Sequence, residues 1–267
     1  MVQDKLNPIC LLVISGLDVE HLNDNNFISL SKILDTYPLV FLESNYKTMS
    51  DIANSYIELG TGIHSLDKTE KSSKTSLSEI LSFAGLKQLH IAETESYADV
   101  TFFFNGKKRY KNKNEDWFQI KSPKIDDYLD NPDMMISKLQ SKLIKSIESR
   151  NYDFIVANFN NLLCNFKSDE DKKRVFDILD RKIKGLIDVI LSLNGTLFIT
   201  SNMSFRNSNL PLFMISKEWK NKSFIDYDHS KNILEQENNG RLLDVAPTIL
   251  KVMGVSKHKQ MQGESII

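Results

Sequence analysis

The stretch Gly85-Leu-Lys-Gln-Leu-His-Ile-Ala-Glu-Thr-Glu-Ser-Tyr-Ala-Asp-Val-Thr-Phe-Phe-Phe-Asn-Gly106 decides how this chain is read. Gln88 to Ile91 predicts a short strand. Glu93 to Glu95 predicts an acidic helix start, because negative charge suits a helix N-terminus. The aromatic run Phe102 to Phe104 follows, and Asn105-Gly106 is a turn signal. Leu77 to Phe83, just upstream, has helical spacing and is ended by Gly85. Trp117 to Ile120, just downstream, predicts another short strand.

The same alternation continues outward on both sides. Ile9-Cys-Leu-Leu-Val-Ile14 is a continuous apolar run of strand length that ends at Ser15-Gly16. Such a run predicts a strand covered on both faces that delivers a loop at its C-terminal end, where ligands of open α/β sheets gather. Asn26 to Tyr37 predicts a helix with Phe27, Leu30, Ile33 and Leu34 on one face, stopped by Pro38. Leu39 to Leu42 predicts a strand. Gly60 and Gly62 close the Ala53 to Gly62 segment and allow a tight backbone path. Ile63 to Thr75 is polar and reads as a flexible link. Helices are predicted over Asp133 to Ser149, Asp169 to Leu193 and Leu243 to Met253. Strands are predicted over Phe154 to Ala157, Thr196 to Thr200 and Leu210 to Ile215. Strands alternating with helices predict an α/β fold, a three-layer, mainly parallel sheet with helices on both faces, built as a single domain over residues 1–267.

Net charge is -1 over 267 residues, so no global field directs the chain to nucleic acid or to an acidic membrane. Cys10 and Cys164 both sit beside apolar neighbours and read as small buried residues rather than as a disulfide framework. Met1 to Asn7 has no apolar signal core, and no run approaches a membrane span. A cytoplasmic location is the expectation. Lys107, Lys108 and Arg109 open a basic run that reads as a solvated loop before it reads as an anion site.

The central stretch closely resembles the segment that follows the inserted domain in the cofactor-independent (2,3-bisphosphoglycerate-independent) phosphoglycerate mutases, whose core is an alkaline-phosphatase-like metalloenzyme fold. The resemblance continues into Lys121-Ser-Pro-Lys124 and is strong again at Gly240-Arg-Leu-Leu-Asp-Val-Ala-Pro-Thr-Ile-Leu250. It implies an alkaline-phosphatase-like core. For an active member it would also imply two divalent metals of manganese or zinc type, a serine that becomes phosphorylated, and an inserted domain that binds the sugar phosphate. In family order that domain falls after Gly60-Thr-Gly62, where this chain has only the short link of residues 63–75. A dozen or so residues cannot bury a core of their own.

The motifs themselves depart from the family pattern. Asn54-Ser55 matches the nucleophile pair, which makes Ser55 the catalytic-equivalent residue. Ser15 stands where the family has an aspartate. Asn161-Leu-Leu-Cys-Asn-Phe-Lys167 stands for Asn-Pro-Asp-Met-Val-Gly-His, so Leu163 and Lys167 replace an aspartate and a histidine. Ser201-Asn-Met-Ser204 stands for Ala-Asp-His-Gly, so Asn202 and Met203 replace two more ligands. Phe205 falls at the last histidine, and Ser96 and Asp99 stand for a lysine and a histidine of the central segment. Leu, Met, Phe and Lys are not ligands for a hard cation. The expectation is therefore a degenerate site with no metal and no cofactor.

Other residues carry a sharp and a bland reading. Asp18 reads as a displaced ligand or, better, as a loop or cap aspartate. Glu58 reads as a base near Ser55 or, better, as an exposed helix residue. His64 and His90 are lone histidines and read as structural. Asp226-Tyr-Asp228-His229 is a local acid and imidazole group that reads as solvated loop. Three functions stay open: a pseudoenzyme that binds a protein or a small anionic ligand, an active reduced mutase or metal-dependent phosphohydrolase, and a structural subunit of a larger assembly. Leu162, Leu163, Met203 and Phe205 either form an apolar patch for the last of these or fill the emptied pocket.

Overall fold

Continuous apolar runs become strands whose two faces are both covered. A computed structural model of the chain describes residues 7–23, 27–43, 45–66, 74–122, 129, 132–205, 209–224 and 232–267. Its strands are β1 (Ile9–Ile14), β2 (Leu39–Glu43), β3 (Gln88–Glu93), β4 (Glu115–Ile120), β5 (Phe154–Phe159), β6 (Thr196–Thr200), β7 (Leu210–Ile215) and β8 (Gly240–Arg241). All belong to one sheet in the order β4-β3-β5-β1-β6-β7-β2-β8. Among the described residues, only β7 runs against its neighbours, β6 and β2; every other pair is parallel.

The helices are α1 (Glu20–Asn23), α2 (Ile28–Ile33), α3 (Ile52–Thr61), α4 (Leu77–Phe83), α5 (Pro132–Glu148), α6 (Asp169–Ser192) and α7 (Val245–Val252). Alternate residues of β1 divide between two cores. Cys10, Leu12 and Ile14 pack with Leu30 of α2, Leu139 and Leu143 of α5, and Val175 to Ile190 of α6. Leu11 and Val13 pack with Tyr56 and Leu59 of α3, Leu77 and Leu81 of α4, and Ile249 of α7. This is the predicted three-layer sheet. Among the described residues no helix is long and apolar enough to cross a membrane.

Four details differ from the sequence reading. Strand β3 runs on to Glu93, which pairs with Ile120, so its backbone is committed to the ladder and no helix starts there. A wide, π-helical turn over Asp99–Phe103 follows instead, closed by Phe104 N–H on the Asp99 carbonyl at 2.9 Å. Helix α2 is shorter than residues 26–37, its last turn tightening at Leu34, whose N–H bonds the Ser31 carbonyl. Cys10 is fully buried, which pushes its thiol up to about 12, but Cys164 is only partly buried. Of the 63–75 link, residues 67–73 lie outside the described residues, as does the Asp226 to His229 group.

Candidate functional site

Strands β3, β5, β1 and β6 are adjacent and parallel, so their C-terminal ends share one edge. Glu93 ends β3, Asn158 lies one residue from the end of β5, Ser15 follows β1, and Asn202 follows β6 by two residues. The Ser15 N–H donates to the Phe159 carbonyl at 2.9 Å and holds the loop against β5. Asn158 Nδ2 donates to Ser15 Oγ at 2.8 Å and to Tyr56 Oη at 2.6 Å. Ser15, Asn158 and Tyr56 thus form a buried, uncharged cluster. Burial first, and then the charge of Asp99, holds the Tyr56 phenol well above its ordinary value. Asn158 and Tyr56 had no signal in the sequence beyond one polar residue near the end of an apolar run.

Ser55 is fully buried in the first turn of α3, and its hydroxyl donates back to the Ile52 carbonyl at 2.7 Å. Its proton is therefore engaged by its own helix, which is the behaviour of a structural serine. Glu58 corrects the sequence reading: it is buried, not exposed. It sits in the last turn of α3 and accepts the Ser65 N–H at 3.1 Å, and its Oε1 is 3.5 Å from His64 Nδ1. Tyr46 also bonds it, and burial followed by that bond raises the Tyr46 phenol.

Two of the family-equivalent positions, Leu163 and Phe205, meet around Gly16 together with Leu162. A side chain there would come within 3.3 Å of Leu163 and 3.6 Å of Leu162 and Phe205. Met203 and Asn202 are fully buried, and both amide atoms of Asn202 lack a hydrogen-bond partner among the described residues. Lys167 is exposed. Of the four apolar candidates, Leu162 and Met203 fill the interior, Leu163 is half-buried, and Phe205 stays 49% exposed. Asp99 and Ser96 border a smaller cavity of about 210 Å³ with Glu95, Ile52 and Leu163. Burial pushes the Asp99 carboxyl up to about 6.

Asp18 behaves as the cap its position suggested. It is 1% exposed, and its Oδ1 accepts the His21 N–H at 3.2 Å, at the start of α1. Ser204 Oγ donates to its Oδ2 at 3.3 Å. His21 is the residue the sequence reading missed. Its Nδ1 is 2.9 Å from Asp18 Oδ1, and its ring lies 5.1 Å from that of Phe176. The signal was the three-residue spacing in Asp18-Val-Glu-His21, which returns a helical side chain to its cap. Asp18 and His21 border a cleft of about 560 Å³.

The remaining candidates are structural. His90 is fully buried; its Nδ1 meets the Val100 carbonyl at 2.6 Å and its Nε2 the Ser78 hydroxyl at 3.1 Å. Burial lowers its pKa. Lys108 corrects the solvated-loop reading, because it is buried and paired with Glu79. Arg109 lies over the Phe102 ring at 5.9 Å. Among the described residues no three His, Cys, Asp or Glu side chains are grouped so as to hold a metal ion.

Comparison with known proteins places this geometry. Residues 12–257 match the family described as the metalloenzyme superfamily. The chain is 36% identical over 202 residues to the 2,3-bisphosphoglycerate-independent phosphoglycerate mutase of Clostridium kluyveri, covering 73% of this chain and 39% of the mutase. It is 34% identical over 253 residues to the enzyme of the same name from Clostridium novyi, covering 92% of this chain and 47% of the mutase. The chain thus spans less than half the length of these relatives. Among solved structures, an alkaline phosphatase superfamily protein from Vibrio parahaemolyticus superposes with a TM-score of 0.68 at 12% identity, over 99% of this chain and 70% of that one. Leishmania mexicana phosphoglycerate mutase superposes with a TM-score of 0.57 at 17% identity, over 71% of this chain and 38% of that one. With a family match that runs from β1 to beyond α7, the chain belongs to the metalloenzyme superfamily, and its fold is alkaline-phosphatase-like.

Proposed function

We propose that this chain is a phosphoglycerate-mutase-like pseudoenzyme that works in the cytoplasm by binding rather than by catalysis. The observation that carries the reading is the donor set at the C-terminal edge of the sheet. At the positions that match the family's ligands, Ser15, Asn202, Met203, Leu163 and Phe205, with Asn158 beside them, offer hydroxyl, amide, thioether and hydrocarbon, and the carboxylates nearby, Asp18, Glu93 and Asp99, are not grouped among the described residues to hold an ion. That set does not fit two hard divalent cations, which need carboxylate and imidazole ligands. Without a metal or a base, a serine hydroxyl stays protonated and unreactive, and the Ser55 hydroxyl is spent on the Ile52 carbonyl. The short link at residues 63–75, standing in place of an inserted substrate domain, supports the same reading.

The test is activity with metal supplied in excess. Mutase and phosphomonoester hydrolysis assays with millimolar manganese or zinc are expected to give rates equal to those of Ser55→Ala. Metal-dependent turnover that Ser55→Ala abolishes would overturn the proposal in favour of a reduced mutase or phosphohydrolase.

A further inference from the structure

We infer that the outer edge of β4 docks an acidic, extended segment of a partner protein, which pairs with it as one more strand of the sheet. The inference goes beyond the non-catalytic reading above and does not depend on it. Strand β4 ends the strand order and pairs with β3 alone. In a parallel ladder, alternate residues turn both of their backbone groups to the same neighbour. The Gln88 N–H donates to the Asn114 carbonyl at 2.8 Å, and the Thr94 N–H to the Ile120 carbonyl at 3.1 Å. With Gln88 in register with Glu115, the even-numbered residues of β4 face β3, and Glu115, Trp117 and Gln119 turn their N–H and C=O groups outward. None of those outward groups has a hydrogen-bond partner among the described residues. Proline and lysine, which commonly protect an edge, are absent from the strand itself. Such an edge is a template for strand addition.

The charge around this edge selects the partner. Lys138, Lys142 and Lys145 follow helical spacing and share one face of α5. Lys142 Nζ lies 4.4 Å from the centroid of the Phe118 ring, which sets that face beside β4. Phe118 itself stays 39% exposed. Lys113 and Lys121 flank the strand, and both are exposed. None of these five lysines has a carboxylate partner among the described residues. The carboxylates of the strand are engaged: Glu115 accepts from the Asn105 and Asn112 side chains, each at 2.7 Å, and Asp116 accepts the Tyr152 hydroxyl at 2.9 Å. On α5, Asp133 pairs with Lys182 at 3.2 Å, and Glu148 falls on another face of the helix. The unmatched positive charge calls for an acidic partner. A second copy of this chain does not meet that need, because antiparallel pairing of two β4 edges sets each α5 lysine stripe beside the other. A nucleic acid meets the charge but not the row of outward backbone groups.

The probe is a dye-labelled, acetylated peptide of four Glu-Val repeats, titrated with the full chain in low salt and followed by fluorescence anisotropy. A dissociation constant of about 0.1 mM or tighter is expected, weakening about tenfold or more in roughly 0.5 M salt as screening grows. A peptide of four Lys-Val repeats should not bind. Gln119→Pro removes an outward N–H and no bond to β3, a place where an edge strand tolerates proline. It should weaken the Glu-Val peptide about tenfold or more while keeping the far-UV circular dichroism of the parent. Lys138→Glu with Lys145→Glu, both at exposed positions, should weaken it as much, and this pair decides alone if the proline variant does not fold. Absence of binding at about 1 mM peptide, equal binding of the Lys-Val peptide, or affinity unmoved by either change overturns the inference. Tighter binding of polyuridine RNA that displaces the peptide overturns it in favour of a nucleic-acid surface. A dimer in sedimentation that Gln119→Pro dissolves overturns it in favour of a second copy. A failed titration leaves the non-catalytic reading untouched, and metal-dependent turnover leaves the docking edge untouched.

Discussion

Gly60→Ala is expected to destabilise the protein by about 3 kcal/mol or more, measured by urea denaturation. A Cβ on Gly60 would stand 2.0 Å from the Phe104 carbonyl oxygen and 2.7 Å from its carbon. Those atoms are backbone, held by the Phe104 N–H bond to Asp99, so no side chain can rotate out of the way. Helix α3 and the turn after β3 would have to separate, opening the core that Tyr56, Leu59 and Phe104 share. Gly62→Ala is the comparison. Gly62 caps α3 with φ of +63°, where alanine meets conformational strain of about 1 kcal/mol. If Gly60→Ala costs no more than Gly62→Ala, the close approach of α3 to the central stretch is wrong.

Glu93→Gln is expected to stabilise the protein, and only above acidic pH. Glu93 is 2% exposed, and neither carboxylate oxygen has a hydrogen-bond partner among the described residues. Burial, and then the charge of Glu95, pushes its carboxyl up to about 7, from 4.5 for an ordinary glutamate. The unfolded chain releases this proton near 4.5 while the folded chain keeps it. Stability is therefore lost as pH rises from 4.5 to 7 and stays level above. A shift of this size amounts to about 3 kcal/mol. Glutamine is neutral at every pH, so at pH 8 the variant should exceed the parent by about 2–3 kcal/mol, and the gap should close by pH 4.5. Denaturant melts of both proteins across that range check it. A gap that does not change with pH would mean that Glu93 is not buried as a bare carboxyl.

The fold was legible wherever apolar runs had clear ends. Helix α4 and strands β6 and β7 occupy the predicted residues, because Gly85, Asn194-Gly195 and the surrounding polar residues punctuate them. The direction of β7 was not legible, since an apolar run reads the same for either orientation. Strand β8 has two residues and no pattern. The acidic residues after Ile91 suggested a helix start, but ladder pairing with β4 outweighed that local preference.

The candidate site was legible only through the family pattern. Ser15, Asn158 and Tyr56 lie more than a hundred positions apart in two of their three pairings, so no local rule joins them. Glu58 was misread because its partners lie outside its own helix, Tyr46 before it and His64 and Ser65 in the loop after it. That loop turns the chain back over the last turn of α3 and buries it. His21 carried a spacing signal, but the metal motifs drew attention to loops that contain no histidine.

The central claim is that this edge of the sheet has lost its capacity for divalent metal. Calorimetric titration of manganese into chelator-stripped, full-length chain tests it most directly. The account predicts no binding tighter than about 1 mM, equivalent to roughly 4 kcal/mol. Binding at micromolar manganese or below would contradict it, and would mean that carboxylates such as Asp18 and Glu58 assemble a metal centre after all.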